Sequence, residues 1–405
     1  MNPDARLQRY LDAIAIALIH VNRGAAMRAY CTALLLPSGR KNIELMAARV
    51  MPDQAQAKHQ SLHHLVAKAG WRDEAVLAVV LELVLPAMQR RAKLRTWLLD
   101  SIELPKQGTH SVGVARQAGQ HSGKVQNMQV AVSLSVATGR TSVPVAYRLF
   151  LPHAWTDDPV RRSAAGIPDE VVFQTKAAIA LQHIRRAMAA GIPAGVVLGG
   201  LDYGGADIRS ALDEFGLPYA LAVHPSTGAH VPSGVSHGEG TVSVEELATV
   251  LSARTGQRVA WSEKGERVSS RFAATRVRPA YAGVPASLCP ERWLLLEWPV
   301  ADAGPTSYWL SSLPAKARLQ ELVRTVRSHG RSQQDIEELK AMGLGHYEGR
   351  GWRGFHHHAT LCIASYGFLV SERCLLPAAR RLTADQIALP ERPRGLRTRR
   401  SPRLI

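Results

Sequence analysis

LRTWLLD (Leu94–Asp100), NMQVAVSLSVA (Asn127–Ala137) and TSVPVAYRLFL (Thr141–Leu151), followed by TKAAIALQHIRRAMAA (Thr175–Ala190) and AGVVLGGLD (Ala194–Asp202), decide the fold. LRTWLLD is a short apolar run ending in an acid, and HSVGVAR (His110–Arg116), NMQVAVSLSVA and TSVPVAYRLFL follow as three strand-like runs separated by Gly- and Ser-containing turns. The fourth spaces its apolar residues as a helix does and stops at Gly191. The fifth reads as a short buried strand. A helix around Ala206 to Phe215 and a final strand, YALAV (Tyr219–Val223), complete the series. Strand, strand, strand, helix, strand, helix, strand is an α/β order.

Outward from this core the pattern changes. Residues 1–92 read as helical: LQRYLDAIAIALIHV and WRDEAVLAVVLELVL carry helical spacing, and Ser38 suggests an N-cap before SGRKNIELMAARV. Arg23, Arg28, Arg40, Lys41 and Arg49 lie in this part, which fits a DNA-reading domain or an oligomerisation bundle equally. Residues 225–312, rich in Gly, Pro, Ser and Val, read as a β-rich insertion with strands at RVSSRFAATRVRPAY and RWLLLEWPV. Helical pattern returns from Ala315 to Met342, interrupted at Gly330, and again from His357 to Arg373. The expected units are therefore 1–92, a core in two parts (93–224 and 313–376) around the 225–312 insertion, and a basic tail, 377–405. From Arg380 that tail carries eight Arg against Asp385 and Glu391, the composition of a disordered, phosphate-binding arm.

The 405 residues include 50 Lys and Arg against 33 Asp and Glu, a net charge of +17, and 40 of the basic residues are Arg. With 46% hydrophobic residues the chain is globular, and such a charge points to a polyanionic partner. Cys31, Cys289, Cys362 and Cys374 show no CxxC spacing, which disfavours a disulfide scaffold or Cys-rich zinc module and suits a reducing cytoplasm. The longest apolar run, Leu77–Met88, is too short to span a bilayer and contains Glu82, and the N-terminus has no signal-peptide pattern. Neither secretion nor membrane insertion is expected.

LLDSIELPKQGTHSVGVARQAGQHSGKVQNMQVAVSLS, PVAYRLFLPHAWTDDPVRR, FQTKAAIAL, GLGHYEGRGWRGFHHHATLCIASYGFL and LLLPSGRKNIELMA together resemble the DDE-superfamily endonuclease domain of bacterial insertion-sequence transposases. The resemblance runs from about residue 25 to 372. It implies a ribonuclease H-like mixed sheet with flanking helices, a helical N-terminal domain and a β-rich insertion. It also implies DNA transposition on double-stranded element ends and target DNA, with self-association as a dimer and a bacterial, nucleoid-associated location.

The family's chemistry uses three carboxylates that hold two Mg²⁺ or Mn²⁺ ions roughly 3.5–4 Å apart at a phosphodiester. The sequence departs from that pattern. Where the family reads Asp-Asp-Thr-Gly-Phe-Pro-Lys, this chain has Asp100-Ser101-Ile102-Glu103-Leu104-Pro105-Lys106, which keeps the first metal ligand as Asp100. Gly200 stands at the second position, with Asp202 two residues on as the substitute ligand. Two residues along a strand is about 6.6–7 Å, so Asp202 reaches the same ion only if the strand end bends. At the third, Gln333 replaces Glu, and the Tyr-Arg-Glu-Lys signature falls on Val326, His329, Gln333 and Lys340. Gly330 stands where a Trp is usual, and Glu337, one turn from Gln333, is the nearest alternative acid. The loss of two ligands implies impaired catalysis, since even partners behind the ligands are worth roughly 10–100-fold. The alternative is a non-catalytic DNA-binding derivative that regulates or assists transposition. Lys106, Arg116, Lys124, Lys340, Arg350 and Arg353 are the expected phosphate contacts. His356, His357 and His358 point in different directions on a helix and read as packing and phosphate-contact residues.

Overall fold

The computed structural model describes residues 2–37, 39–119, 123–230, 241–252, 256–263, 266–299 and 304–375; the expected tail, 377–405, and the Ser38 cap lie outside them. Five helices open the chain: α1 (Pro3–Ile16), α2 (Val21–Leu35), α3 (Ile43–Val50), α4 (Ala55–His63) and α5 (Asp73–Gln89). Asn2 and Asn42 cap α1 and α3 through side-chain oxygens that accept from Ala5 N and Leu45 N at 2.8 and 2.9 Å.

The core follows with β1 (Thr96–Pro105), β2 (Ala115–Ala118), β3 (Val125–Ala137) and β4 (Ser142–Leu149). Of the expected His110–Arg116 strand only the last two residues join β2; Val112 N is instead bonded to Arg350 O, and Gly113 has φ +74°. Short helices α6 (His153–Thr156) and α7 (Pro159–Ala165) lead to α8 (Lys176–Ala189), which Thr175 caps, then β5 (Val196–Gly199), α9 (Ala206–Glu214) and β6 (Tyr219–Ala222). β3 runs antiparallel to β1, β4 antiparallel to β3, and β5 and β6 parallel to β1. The five principal strands thus lie in the order β4-β3-β1-β5-β6, the ribonuclease H-like arrangement that the strand pattern implies.

The insertion extends this sheet. It comprises β7 (Gly228–His230), β8 (Thr241–Ser243), α10 (Val244–Ser252), β9 (Gln257–Glu263), β10 (Glu266–Pro279), β11 (Arg292–Pro299) and β12 (Ser307–Ser311). β12 pairs antiparallel with β6, so all twelve strands are linked in one sheet. Helix α10 inside the insertion was not legible as such. Three helices close the described chain: α11 (Leu319–Arg327), α12 (Gly330–Met342) and α13 (Trp352–Leu375).

A continuous apolar core joins the N-terminal helices to the first sheet half through α13, including Tyr30, Val80, Trp97, Ile184, Tyr203 and Leu369. A second cluster, Leu98, Leu198, Phe272, Leu295, Leu322 and Val326, seals the sheet against α11. α13 is buried on every side from Gly354 to Val370, as a helix apolar all round must be. Several of its polar side chains have specific partners, although the Ser371 hydroxyl is buried without one among the described residues. His356 Nδ1–H donates to Trp352 O while its Nε2 accepts from Leu149 N; His358 Nε2–H donates to Gly343 O and its Nδ1 accepts from Tyr30 OH. His357 stacks on Trp71 at 3.7 Å between ring centroids. Burial draws all three imidazoles down to about 4, so they are neutral packing groups at physiological pH. The phosphate-contact role expected for these histidines is therefore corrected: they face the interior, 7%, 3% and 1% exposed.

Candidate active site

The register of the parallel pair β1–β5 ends with Leu99 opposite Gly199. Asp100 continues β1, and Gly200, where the resemblance expects a second carboxylate, follows the end of β5 and caps the Leu201–Tyr203 turn. Gly200 has φ −74° and ψ −169°, an extended backbone that any residue adopts.

Asp100 is 3% exposed. Its Oδ1 accepts from Ser101 N and its Oδ2 accepts from the Ser332 hydroxyl on α12, both at 2.8 Å. His329, one turn earlier on the chain, sets a ring nitrogen 3.3 Å from Leu99 O. The inward face of α12 therefore runs through Ser332, Asp335, Ile336 and Leu339. Gln333 and Glu337 lie on its exposed side, and Glu337 pairs with Lys340 at 3.2 Å. The α12 side chain bonded to Asp100 is Ser332, the neighbour of Gln333. Burial periodicity on α12 was the signal that could have found it. Asp335, a further buried acid, accepts from Tyr366 OH at 2.7 Å, pairs with Arg331 and takes a hydrogen bond from Ser142. Burial pushes its carboxyl up to about 7 against the pull of Arg331.

Asp202 occupies a short turn, Leu201–Tyr203, after β5. Its Oδ2 accepts from Ser101 Oγ at 2.7 Å and from Lys176 Nζ, at the start of α8, at 2.8 Å. Tyr203 OH is 2.9 Å from the same Ser101 hydroxyl, and burial holds this phenol far above its ordinary range. Asp100 and Ser101 are consecutive in an unbroken strand, so their side chains point to opposite faces of the sheet. Asp100 meets α12 on one face, and Asp202 meets Ser101 and Lys176 on the other. Asp100 and Asp202 are thus held by different partners, Ser332 for the first and Lys176 for the second. Gly204 fixes this turn, because a Cβ there would stand 2.0 Å from Ala222 O. Ser101 and Lys176 were missed in the sequence because each acts through a partner distant in the chain.

A two-metal centre needs several carboxylate oxygens converging on shared ions. Here one acid faces α12, its oxygens engaged by a hydroxyl and an amide. The other is held by Lys176 on the opposite face, and a glycine and an exposed Gln333 take the remaining places. Among the described residues, no group of three His, Cys, Asp or Glu could hold a metal ion. This donor set does not fit Mg²⁺ or Mn²⁺ in the expected arrangement.

The expected phosphate contacts fall into separate regions. Lys106 is half-buried and donates to Gly345 O and Tyr347 O at 3.3 and 2.7 Å, tying down the glycine-rich loop before α13. Arg350 and Arg353 are exposed beside a cleft of about 680 Å³ between this loop and α3–α4, which also contains Lys41 and Lys68. Burial lowers the Lys41 ammonium to about 8. Arg116 and Lys124 are exposed on the β2–β3 hairpin, and Lys340 is engaged by Glu337. All four cysteines are buried free thiols. Among the described residues no helix is long and apolar enough to cross a membrane.

Among curated proteins none matches this chain. One solved structure similar to it is a piggyBac transposase synaptic complex with hairpin DNA: TM-score 0.46, 8% identity, 90% of this chain and 69% of that one covered. The model of the DDE superfamily endonuclease family matches residues 17–265, more than half of the sequence, and the chain belongs to that family.

Proposed function

We propose that this chain is a transposase-type, DNA-binding member of the DDE superfamily in which the two-metal catalytic arrangement is lost, and that it acts on insertion-element ends as a regulator or assembly partner of transposition. The observation that supports this reading is that Asp100 is engaged by Ser332 and Asp202 by Ser101 and Lys176, while Gly200, after β5, brings no carboxylate. A phosphodiester at Asp100 would meet a single carboxylate already engaged by Ser101 and Ser332. The net charge of +17 and the exposed arginines support the nucleic-acid partner. A homodimer bridging two DNA ends and a nucleoid-associated location belong to the same proposal.

The test is nicking of supercoiled plasmid bearing the element's ends in Mg²⁺ or Mn²⁺. The native chain is compared with two repairs, Gly200→Asp with Gln333→Glu and Gly200→Asp with Ser332→Glu. The native chain is expected to bind without cutting, and a repaired chain to nick. Nicking by the native chain that Asp100→Ala abolishes would overturn the proposal and mean a working, relocated metal site.

A further inference from the structure

An open groove of about 1140 Å³ lies between β9 of the insertion, α11 and the start of α12. Arg258, Arg267, Arg324, Arg327 and Arg331 line it, and none of the described lining residues is Asp or Glu. Arg258, Arg267 and Arg324 are exposed. Arg327 and Arg331 are anchored from behind by Glu297 and Asp335, and the Arg327 guanidinium lies 4.0 Å from the Trp261 ring centroid. The groove borders the Asp100 position: His329 lines it, and Ser332, which holds Asp100, sits between the lining residues Arg331 and Gln333.

A concave surface carrying one sign of charge focuses its field, and guanidinium groups match phosphate oxygens in a two-pronged geometry. Where three carboxylates face a phosphodiester, bound cations must first offset their charge. Here the described lining carries five arginines and no carboxylate, so the groove is cationic as it stands. We propose that this groove binds the phosphate backbone of duplex DNA directly, with no divalent cation required. The inference rests on the DNA-binding reading above and adds to it the site and its independence of metal.

The experiment is fluorescence anisotropy of a labelled mixed-sequence duplex with the full chain in EDTA, titrated with salt and repeated in Mg²⁺. The Arg258→Gln, Arg324→Gln double variant changes two exposed side chains, and a thermal melt checks that it folds. Its Kd is expected to rise by about tenfold or more, and its slope of log affinity against log salt to fall by about two. Mg²⁺ is expected not to strengthen native binding. An Arg116→Gln, Lys124→Gln variant on the hairpin serves as comparison and is expected to lose less. Native binding that the groove variant leaves unchanged, that the hairpin variant alone weakens, or that requires Mg²⁺ would overturn the groove proposal while leaving DNA binding in place. Absence of native binding at every salt concentration would overturn both.

Discussion

Helix α13 and the middle of β1, around Asp100, meet different fates in one fold. Along α13 buried polar side chains find specific partners: His356 with Trp352 O and Leu149 N, His358 with Tyr30 and Gly343 O, Tyr366 with Asp335. Around Asp100, midway along β1, the positions we assign to metal-binding carboxylates hold one engaged acid, a glycine and a helix face led by serine. The difference teaches that this fold does not depend on its acidic centre. Clustered carboxylates repel one another and bring no packing, so replacing them leaves the hydrophobic ledger untouched, whereas each buried imidazole of α13 is bound into the core.

The largest test of this contrast is pH. His183, His356, His357 and His358 have folded pKa values near 4, below the ~6.5 of an unfolded chain. The unfolded state therefore takes up protons first. Their stabilisation is complete above ~6.5 and lost as pH falls toward 4, each imidazole costing on the order of 2 kcal/mol by pH 5. Asp73 and Asp335, both raised to about 7, act in the opposite sense and recover part of the loss. The melting temperature is expected to be lower at pH 5 than at pH 7; an unchanged or higher value would mean that the scaffold is not built on neutral imidazoles.

Gly204→Ala comes next. Its Cβ would collide with the Ala222 carbonyl, and urea unfolding should report a loss of about 2–3 kcal/mol. A neutral result would mean that the turn carrying Asp202 is free to move toward Asp100. Ser332→Ala should cost about 1–2 kcal/mol by removing the hydroxyl from the buried Asp100, while Gln333→Ala should stay within about 0.5. The reverse ranking would restore Gln333 as the residue facing the acid. The smallest effect belongs to Lys176→Met. The pair with Asp202 is partly solvated, 23% and 26% exposed, so the change should fall below about 1 kcal/mol. A larger loss would make the Asp202 turn a structural anchor comparable to α13.

Local pattern carried the reading a long way. Apolar runs gave β3 and β4, and helical spacing gave α8, α9 and α12 close to their observed limits. The first run, though, stops at Asp100, five residues short of β1's end at Pro105, and most of the expected His110–Arg116 strand is not one. The helix α10 went unseen because it sits within a Gly- and Ser-rich stretch of strand-like composition. The site was legible only in its identities. Asp100, Gly200 and Asp202 could be singled out, but the sequence left open whether the strand end bends.

The sequence by itself determined the α/β order, the basic charge and the absence of acids at two expected positions, because residue type and short-range periodicity encode these directly. The tertiary structure alone decided that Asp100 meets Ser332, that Asp202 meets Ser101 and Lys176, and that five arginines from the insertion, α11 and α12 share one groove. Each of these depends on strand register or helix rotation against a distant partner. A shift of one residue in a strand, or about 100° around a helix, reverses which way a side chain points.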